Sequence, residues 1–254
     1  MFYVIFSILF WLFLALSSII IFLGALVLWL FTFPFDRNLR LQHMYSCWWG
    51  SLYLWLNPFW PMRVEGREKI DPSQVYVAVS NHQSMLDILV IHSLFFHFKW
   101  VSKKENLYIP FVGWNMLLNR YVTIDRASRK SFVRMIRDCR RHIEKGSSIM
   151  IFPEGTRSTD GNIRNFKDGA FRLALQMKCP VLPVVLDGTG ESLPKKGFVI
   201  TKTTPINVRV LDPVMPVEYE GIDSRELGNK VREIMLSALE DLRKKEADKK
   251  HQNN

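Results

Sequence analysis

The segment Val75 to Asp87, VYVAVSNHQSMLD, ends an apolar run in a polar cluster that holds His82 and, five positions on, Asp87. A histidine oriented by a carboxylate is the usual make-up of a general base. The carboxylate accepts a hydrogen bond from one imidazole nitrogen and fixes the tautomer, which leaves the other nitrogen to take a proton. Asp87 also has a plainer reading. Ser84-Met85-Leu86-Asp87 fits a capping box with Asp in place of the usual Glu, in which the carboxylate only starts a helix. That reading leaves His82 unexplained, because it precedes the cap. A second cluster, FPEGTRS from Phe152, supplies Glu154, Gly155, Thr156 and Arg157. The planar fork of arginine matches phosphate oxygens, and glycine lets the backbone approach a ligand closely. An isolated EGTR reads better as a glycine turn with a surface salt bridge. With Lys103 and Arg126 added, the chemistry on offer is a base beside an anionic substrate.

These residues share a position relative to the elements that carry them. VYVAVS, KWVSK, YVTID, SIMIF, VLPVVL and INVRVL read as short buried strands. Between them, SMLDILVIHSLFF, DGAFRLALQM and the closing SRELGNKVREIMLSALEDLRKK read as helices. So does SRKSFVRMIRDCRRHIEKG, with Ser128 as N-cap, Gly146 at its end and Phe132, Val133, Met135, Ile136 and Ile143 as its apolar side. The alternation predicts an α/β fold, a mostly parallel twisted sheet covered by helices. NHQSMLD, DR and PEGTRS each follow a strand, and ligands of such sheets bind beyond the carboxyl ends of the strands. The clusters are therefore expected to meet in one pocket.

The rest of the chain bounds where that pocket works. The sequence has 254 residues and a formal net charge of +10. Residues 1–35 contain no charged side chain, and Arg37 and Arg40 follow directly. A helix over that run would be about 50 Å long, more than the ~20 residues a bilayer core needs. It must tilt, break near Ser17, Ser18 or Gly24, or lie partly in the interface. His43 to Pro61 is rich in Trp and Tyr, which suits a membrane interface or a buried aromatic helix. The expectation is a two-helix membrane-docking module over 1–60, an α/β domain over 61–245 and a disordered polar tail over 246–254. Positive charge concentrates between Lys99 and His142, where 11 Lys or Arg face 3 acids. Next to a lipid-seeking N-terminus, this points to anionic lipid or an acidic partner rather than nucleic acid, because most tryptophans lie in the first 60 residues, away from the basic stretch. Cys47, Cys139 and Cys179 match neither a zinc pattern nor a disulfide framework.

Four blocks in order, spanning about residues 64–195, resemble the glycerolipid acyltransferase family and most of all its 1-acylglycerol-3-phosphate acyltransferase branch. They are Asn81-His82 with Asp87; KKENLYIPFVGW from Lys103 with TIDR ending at Arg126; FPEGTRS from Phe152; and VLPVV from Val181 with Asp187-Gly188-Thr189. Asn106 departs from the Lys-x-Glu-Leu often found there. The resemblance implies that His82, oriented by Asp87, deprotonates the sn-2 hydroxyl of membrane-borne lysophosphatidate, which attacks an acyl thioester. It implies that Arg157, with Lys103 and Arg126, holds the phosphate, that Glu154 binds a substrate hydroxyl or orients Arg157, and that Pro183 shapes the pocket wall. Gly155 and Thr156 complete the substrate loop. No metal and no bound cofactor is implied; acyl-CoA or acyl carrier protein is the donor substrate. Another lysophospholipid or glycerol 3-phosphate is the alternative acceptor, and a non-enzymatic anionic-lipid-binding protein is the rival of another class. The catalytic domain is expected on the cytoplasmic side of the membrane, by the bias that Arg37 and Arg40 express.

Overall fold

The computed structural model describes residues 1–194, 197–200 and 202–252. Two helices come first, α1 (Phe2–Thr32) and α2 (Arg40–Trp55). The sheet domain then runs β1 (Met62–Glu65), β2 (Val77–Ser80), α3 (Leu86–His92), β3 (Phe98–Lys103), α4 (Val112–Leu118), β4 (Val122–Ile124) and α5 (Arg129–Glu144). It continues with β5 (Ser148–Ile151), α6 (Gly169–Met177), β6 (Val181–Asp187), α7 (Thr189–Ser192), β7 (Ile206–Val210) and α8 (Ser224–Gln252).

The seven strands form one sheet in the order β1-β7-β6-β2-β5-β3-β4. Five of them, β6 to β4 in that order, are mutually parallel, with Val77 opposite Ile149, Val79 opposite Pro183 and Lys103 opposite Ile124. β7 is antiparallel to β6, and β1 runs parallel to β7. The mostly parallel α/β sheet is thus present, with two reversed strands at one edge. VAVS and SIMI are buried at every position, as strands covered on both faces must be. β1 is largely exposed and shows no alternation, which is why the sequence did not reveal it.

Two apolar layers cover the faces. One packs α5, α6 and α8 on the sheet through residues such as Met135, Cys139, Phe171, Leu227 and Met235. Val133, expected on the apolar side of α5, is instead 63% exposed. Ser128 caps α5 as expected, accepting from the Ser131 N–H at 3.2 Å, and Gly146 follows it at φ +81°. The other layer packs α1, α2 and α3 through Phe10, Ile21, Trp49, Tyr53, Val90 and Ile91. Residues 1–60 and the sheet domain therefore share one core. Trp49 and Tyr53 of α2 are buried in it, so the buried-helix reading holds for them; Trp60, beyond the helix, is buried too, while Trp55 is exposed.

α1 is continuous and does not break at Ser17, Ser18 or Gly24. Both serine hydroxyls bond back to the Leu14 carbonyl and approach the Tyr53 hydroxyl at 3.0 and 3.2 Å, so they cost the helix no unsatisfied groups. At Gly24, a Cβ would stand 2.5 Å from the Tyr45 hydroxyl, which bonds to Ile21 O. Glycine there admits α2 closely rather than bending α1. Among the described residues, α1 is the one helix long and apolar enough to cross a membrane. Most of its apolar side chains are exposed, among them Phe2, Ile20 and Phe31.

Two other expectations are corrected. The segment from Ser84 to Phe96 is helical only over Leu86–His92, because Phe95 takes a positive φ. The tail from residue 246 is not disordered at its start: α8 continues to Gln252, and 253–254 lie outside the described residues. No glycine or proline interrupts it after Gly228, and Glu246 and Lys245 pair with Arg63 and Glu65 of β1 at 3.2 and 3.6 Å.

Candidate active site

His82, the FPEGTRS loop and Arg126 follow β2, β5 and β4, and Lys103 ends β3; these strands are neighbours in the sheet and point the same way. All four therefore gather along the carboxyl edge. With strands ~4.8 Å apart, Arg126 starts roughly 14 Å from His82, and the EGTR loop is nearest.

His82 Nδ1 lies 2.7 Å from Asp87 Oδ2, so Nδ1–H donates to the carboxylate and Nε2 keeps its lone pair. The same oxygen accepts the N–H groups of Gln83 and Ser84, at 2.7 and 2.9 Å. Asp87 thus ties the backbone ahead of α3 and orients the histidine at once; of the expected capping box only the carboxylate half forms, since the helix starts at Leu86 after Met85 and the Asp87 N–H bonds to the Ser84 carbonyl instead of its hydroxyl. Asp87 is fully buried, and its Oδ1 has no hydrogen-bond partner among the described residues. The imidazole stacks on Phe152 at 4.0 Å and 8°. Stacking and the carboxylate together fix the ring plane, and its side chain stays 14% exposed.

The backbone around His82 is tied on three sides. Its N–H donates to Glu154 Oε1 at 2.8 Å, and its carbonyl accepts from Ser158 N at 2.7 Å. Asn81 pairs with Leu186 of β6 in both directions at 2.8 Å, its amide standing in for a strand. Gln83 reaches Leu186 O and Gly161 O, each at 3.2 Å. The sequence marked neither Asn81 nor Gln83 for a role, since their partners are backbone groups that no residue letter announces.

Glu154 was expected among the substrate-binding residues. The structure turns it inward: it is 4% exposed, and its second oxygen accepts from Arg164 N at 3.1 Å. Burial pushes its carboxyl above the usual range, against the pull of the two N–H groups. Glu154 therefore locks the His82 loop to the segment that follows EGTR.

The cations lie on the β3 and β4 side. Lys103 pairs loosely with Glu105 at 3.5 Å, both about half exposed. Arg126 lines a cavity of ≈150 Å³ with Lys167, Phe152 and Gly155, floored by Ile124, Ile151 and Met135. Thr156 is exposed and Arg157 half-buried at the next turn of the same loop. Gly155 has φ +71°, and a Cβ there would come 2.9 Å from Lys167 Nζ. Lys167 thus lies across the glycine beside Arg126, a site residue the sequence reading missed, since a lone lysine before an apolar helix carries no signal. On the other side of His82, a cavity of ≈440 Å³ is lined by Gln83, Asp160, Asp187, Glu191 and Arg243. Three acids against one cation make it a poor place for a phosphate. Among the described residues, no group of three or more His, Cys, Asp or Glu could hold a metal ion.

A parallel α/β sheet that presents a histidine–carboxylate pair beside cations defines a class, and the comparisons agree on it. The Acyltransferase family model matches residues 61–187, and the chain belongs to that family. Within it, the chain is similar to the 1-acyl-sn-glycerol-3-phosphate acyltransferase of Chlamydomonas reinhardtii, 37% identical over 181 residues, covering 70% of this chain and 54% of the relative. A chloroplastic enzyme of the same description from Brassica napus is 35% identical over 207 residues, covering 81% of this chain and 59% of the relative. The chain thus spans between half and three-fifths of these relatives' length. The crystal structure of the 1-acyl-sn-glycerophosphate (LPA) acyltransferase PlsC from Thermotoga maritima superposes with a TM-score of 0.75 at 26% identity, covering 95% of this chain and 98% of that one.

Proposed function

We propose that the protein transfers an acyl group from a thioester to the sn-2 hydroxyl of 1-acylglycerol-3-phosphate, giving phosphatidate. The observation that carries this reading is the 2.7 Å contact of His82 Nδ1 with Asp87, made at the carboxyl edge of the parallel strands. His82 Nε2 takes the hydroxyl proton as the oxygen attacks the thioester carbonyl. The C–O bond forms, the C–S bond breaks, and the thiolate leaves with the bonding pair. Its low basicity removes the need for a dedicated acid, and the imidazolium can return its proton to the sulfur. Arg157, Lys103 and Arg126 hold the acceptor phosphate, joined by Lys167. Glu154 acts through the His82 backbone rather than on substrate. Acyl-CoA or acyl carrier protein supplies the acyl group as a substrate.

The acceptor is a membrane lipid, and the exposed apolar length of α1 supports docking on the membrane that contains it. We place the catalytic domain on the cytoplasmic side, with α1 and α2 chiefly in one leaflet. The test is a product assay on purified full-length protein with lysophosphatidate, a lysophospholipid with a capped phosphate, and glycerol 3-phosphate, each given acyl-CoA and acyl carrier protein. Phosphatidate formed from lysophosphatidate at the highest kcat/KM is the expected result. Preference for either other acceptor, or no transfer to any, would overturn the assignment.

A further inference from the structure

At the other end of the strands lies a second basic site. Arg120 precedes β4 and Lys145 precedes β5, so both stand at the amino edge of the parallel strands, away from His82. They meet Arg37 from the turn between α1 and α2 around a cavity of ≈580 Å³, whose wall also includes Phe33, Asp36 and Asn38. Three cations face one carboxylate, and that carboxylate is occupied. Asp36 Oδ1 accepts from Arg40 N at 2.8 Å, and Oδ2 accepts from Leu41 N and Gln42 N at 2.8 and 3.5 Å. Asp36 caps the start of α2, and it makes no ion pair with the three cations. Among the described residues, none of Arg37, Arg120 or Lys145 is in an ion pair.

The turn is held in place by the sheet domain. Asn38 Nδ2 donates to Lys145 O at 2.5 Å, and Arg40 donates to Gly146 O at 3.2 Å. Arg120 lies over the Phe33 ring at 5.8 Å. Next to these cations, α1 ends in exposed aromatics: Phe31 is 76%, Phe33 46% and Phe35 68% exposed. Exposed aromatic rings close to cations outside any ion pair match the boundary between acyl chains and lipid phosphates.

We infer that this cavity binds the phosphomonoester headgroup of an anionic phospholipid, separately from the active site. The inference rests on the reading that α1 lies in lipid. Three cations suit a dianionic phosphate. One cation comes from the helical pair and two from the sheet domain, so a bound headgroup would fasten the domain to its anchor at the membrane surface. α5 reaches the cavity only through Lys145 at its C-cap; Arg134 and Arg137, two turns or more earlier on that helix, do not line it.

The test is flotation of full-length protein with phosphatidylcholine vesicles, and with the same vesicles containing phosphatidate, at one ionic strength. Wild type should float with both and bind the phosphatidate vesicles more tightly. The R37Q/K145Q variant should keep the neutral-vesicle binding and lose roughly 25-fold of the phosphatidate gain, at roughly five-fold per charge. R134Q/R137Q on α5 should retain the gain, and inorganic phosphate at the same phosphate concentration should not compete. A phosphatidate gain undiminished in R37Q/K145Q overturns the site, as does equal loss in R134Q/R137Q. Equal competition by inorganic phosphate overturns the lipid as its ligand. Wild type that fails to float with neutral vesicles overturns the membrane reading instead. Turnover of a short-chain soluble acceptor, unchanged in both variants, reports that they are folded.

Discussion

The carboxylate of Glu154 holds two loops together through backbone N–H groups, and His82 belongs to one of them. A glutamine there has one acceptor oxygen and would turn its NH₂ towards the other N–H. Leaving a buried donor unmatched costs about 1–3 kcal/mol. Glu154→Gln should therefore lower kcat about 10- to 100-fold through a displaced His82, with KM for the acceptor little changed. Steady-state kinetics decides: a raised acceptor KM at normal kcat would place Glu154 on the substrate. The same residue marks what a sequence can reveal. The His82–Asp87 pair is legible because both partners are side chains a few positions apart at a strand end. The partners of Glu154, Asn81 and Gln83 are backbone groups made available by long-range folding, and Lys167 reaches the site only because Gly155 leaves it room.

At the scale of elements, α2 and α4 are joined by a buried polar seam. Asn115 and Asn119 both bond to the Ser46 hydroxyl at 3.0 Å, and Gln42 reaches Asn115 at 3.4 Å. Beside it, Lys99 of β3 is 1% exposed and donates to Asn119 O at 2.9 Å. Burial pulls its ammonium from 10.5 down to about 7, with Asp36 opposing and Arg120 adding to the shift. Between those two values the unfolded chain binds the proton and the folded chain does not. The penalty is complete below pH 7 and is relieved as pH rises towards 10.5, so stability should rise across that window, by on the order of 3–5 kcal/mol. Lys99→Met should remove most of that rise. Denaturant midpoints at pH 7 and pH 10 for both proteins test it, and equal rises in both would show that Lys99 is not the cause. Neither the seam nor α4 was legible. Pro110 and Gly113 interrupt the pattern that would announce a helix, and Gly113 is required because a Cβ would strike Leu107 O at 2.1 Å. Tryptophan likewise suits a core and a membrane interface equally, so Trp49 and Trp55 could not be told apart before the sheet placed one inside and one outside.

Across the whole molecule, the alternation of strands and helices made the parallel α/β sheet legible, and the rule that ligands gather at carboxyl edges brought the clusters together. The order of strands and the reversal of β1 and β7 depend on long-range pairings that local pattern does not encode. The shared core has a practical consequence: removing residues 1–60 would open the layer that Trp49, Tyr53 and Trp60 fill, so loss of activity in such a truncation would not isolate a membrane role. The proposed role of His82, as the base of an acyl transfer at a lipid surface, can be tested without truncation. The most direct measurement is the rate of phosphatidate formation from vesicle-borne lysophosphatidate by full-length wild type and His82→Ala, matched for circular dichroism and vesicle binding. Loss of a general base that activates the nucleophile predicts a fall in kcat of about 10²- to 10⁴-fold, with a smaller fall for Asp87→Asn. A folded, vesicle-bound His82→Ala protein that forms phosphatidate at near wild-type rate would contradict the account.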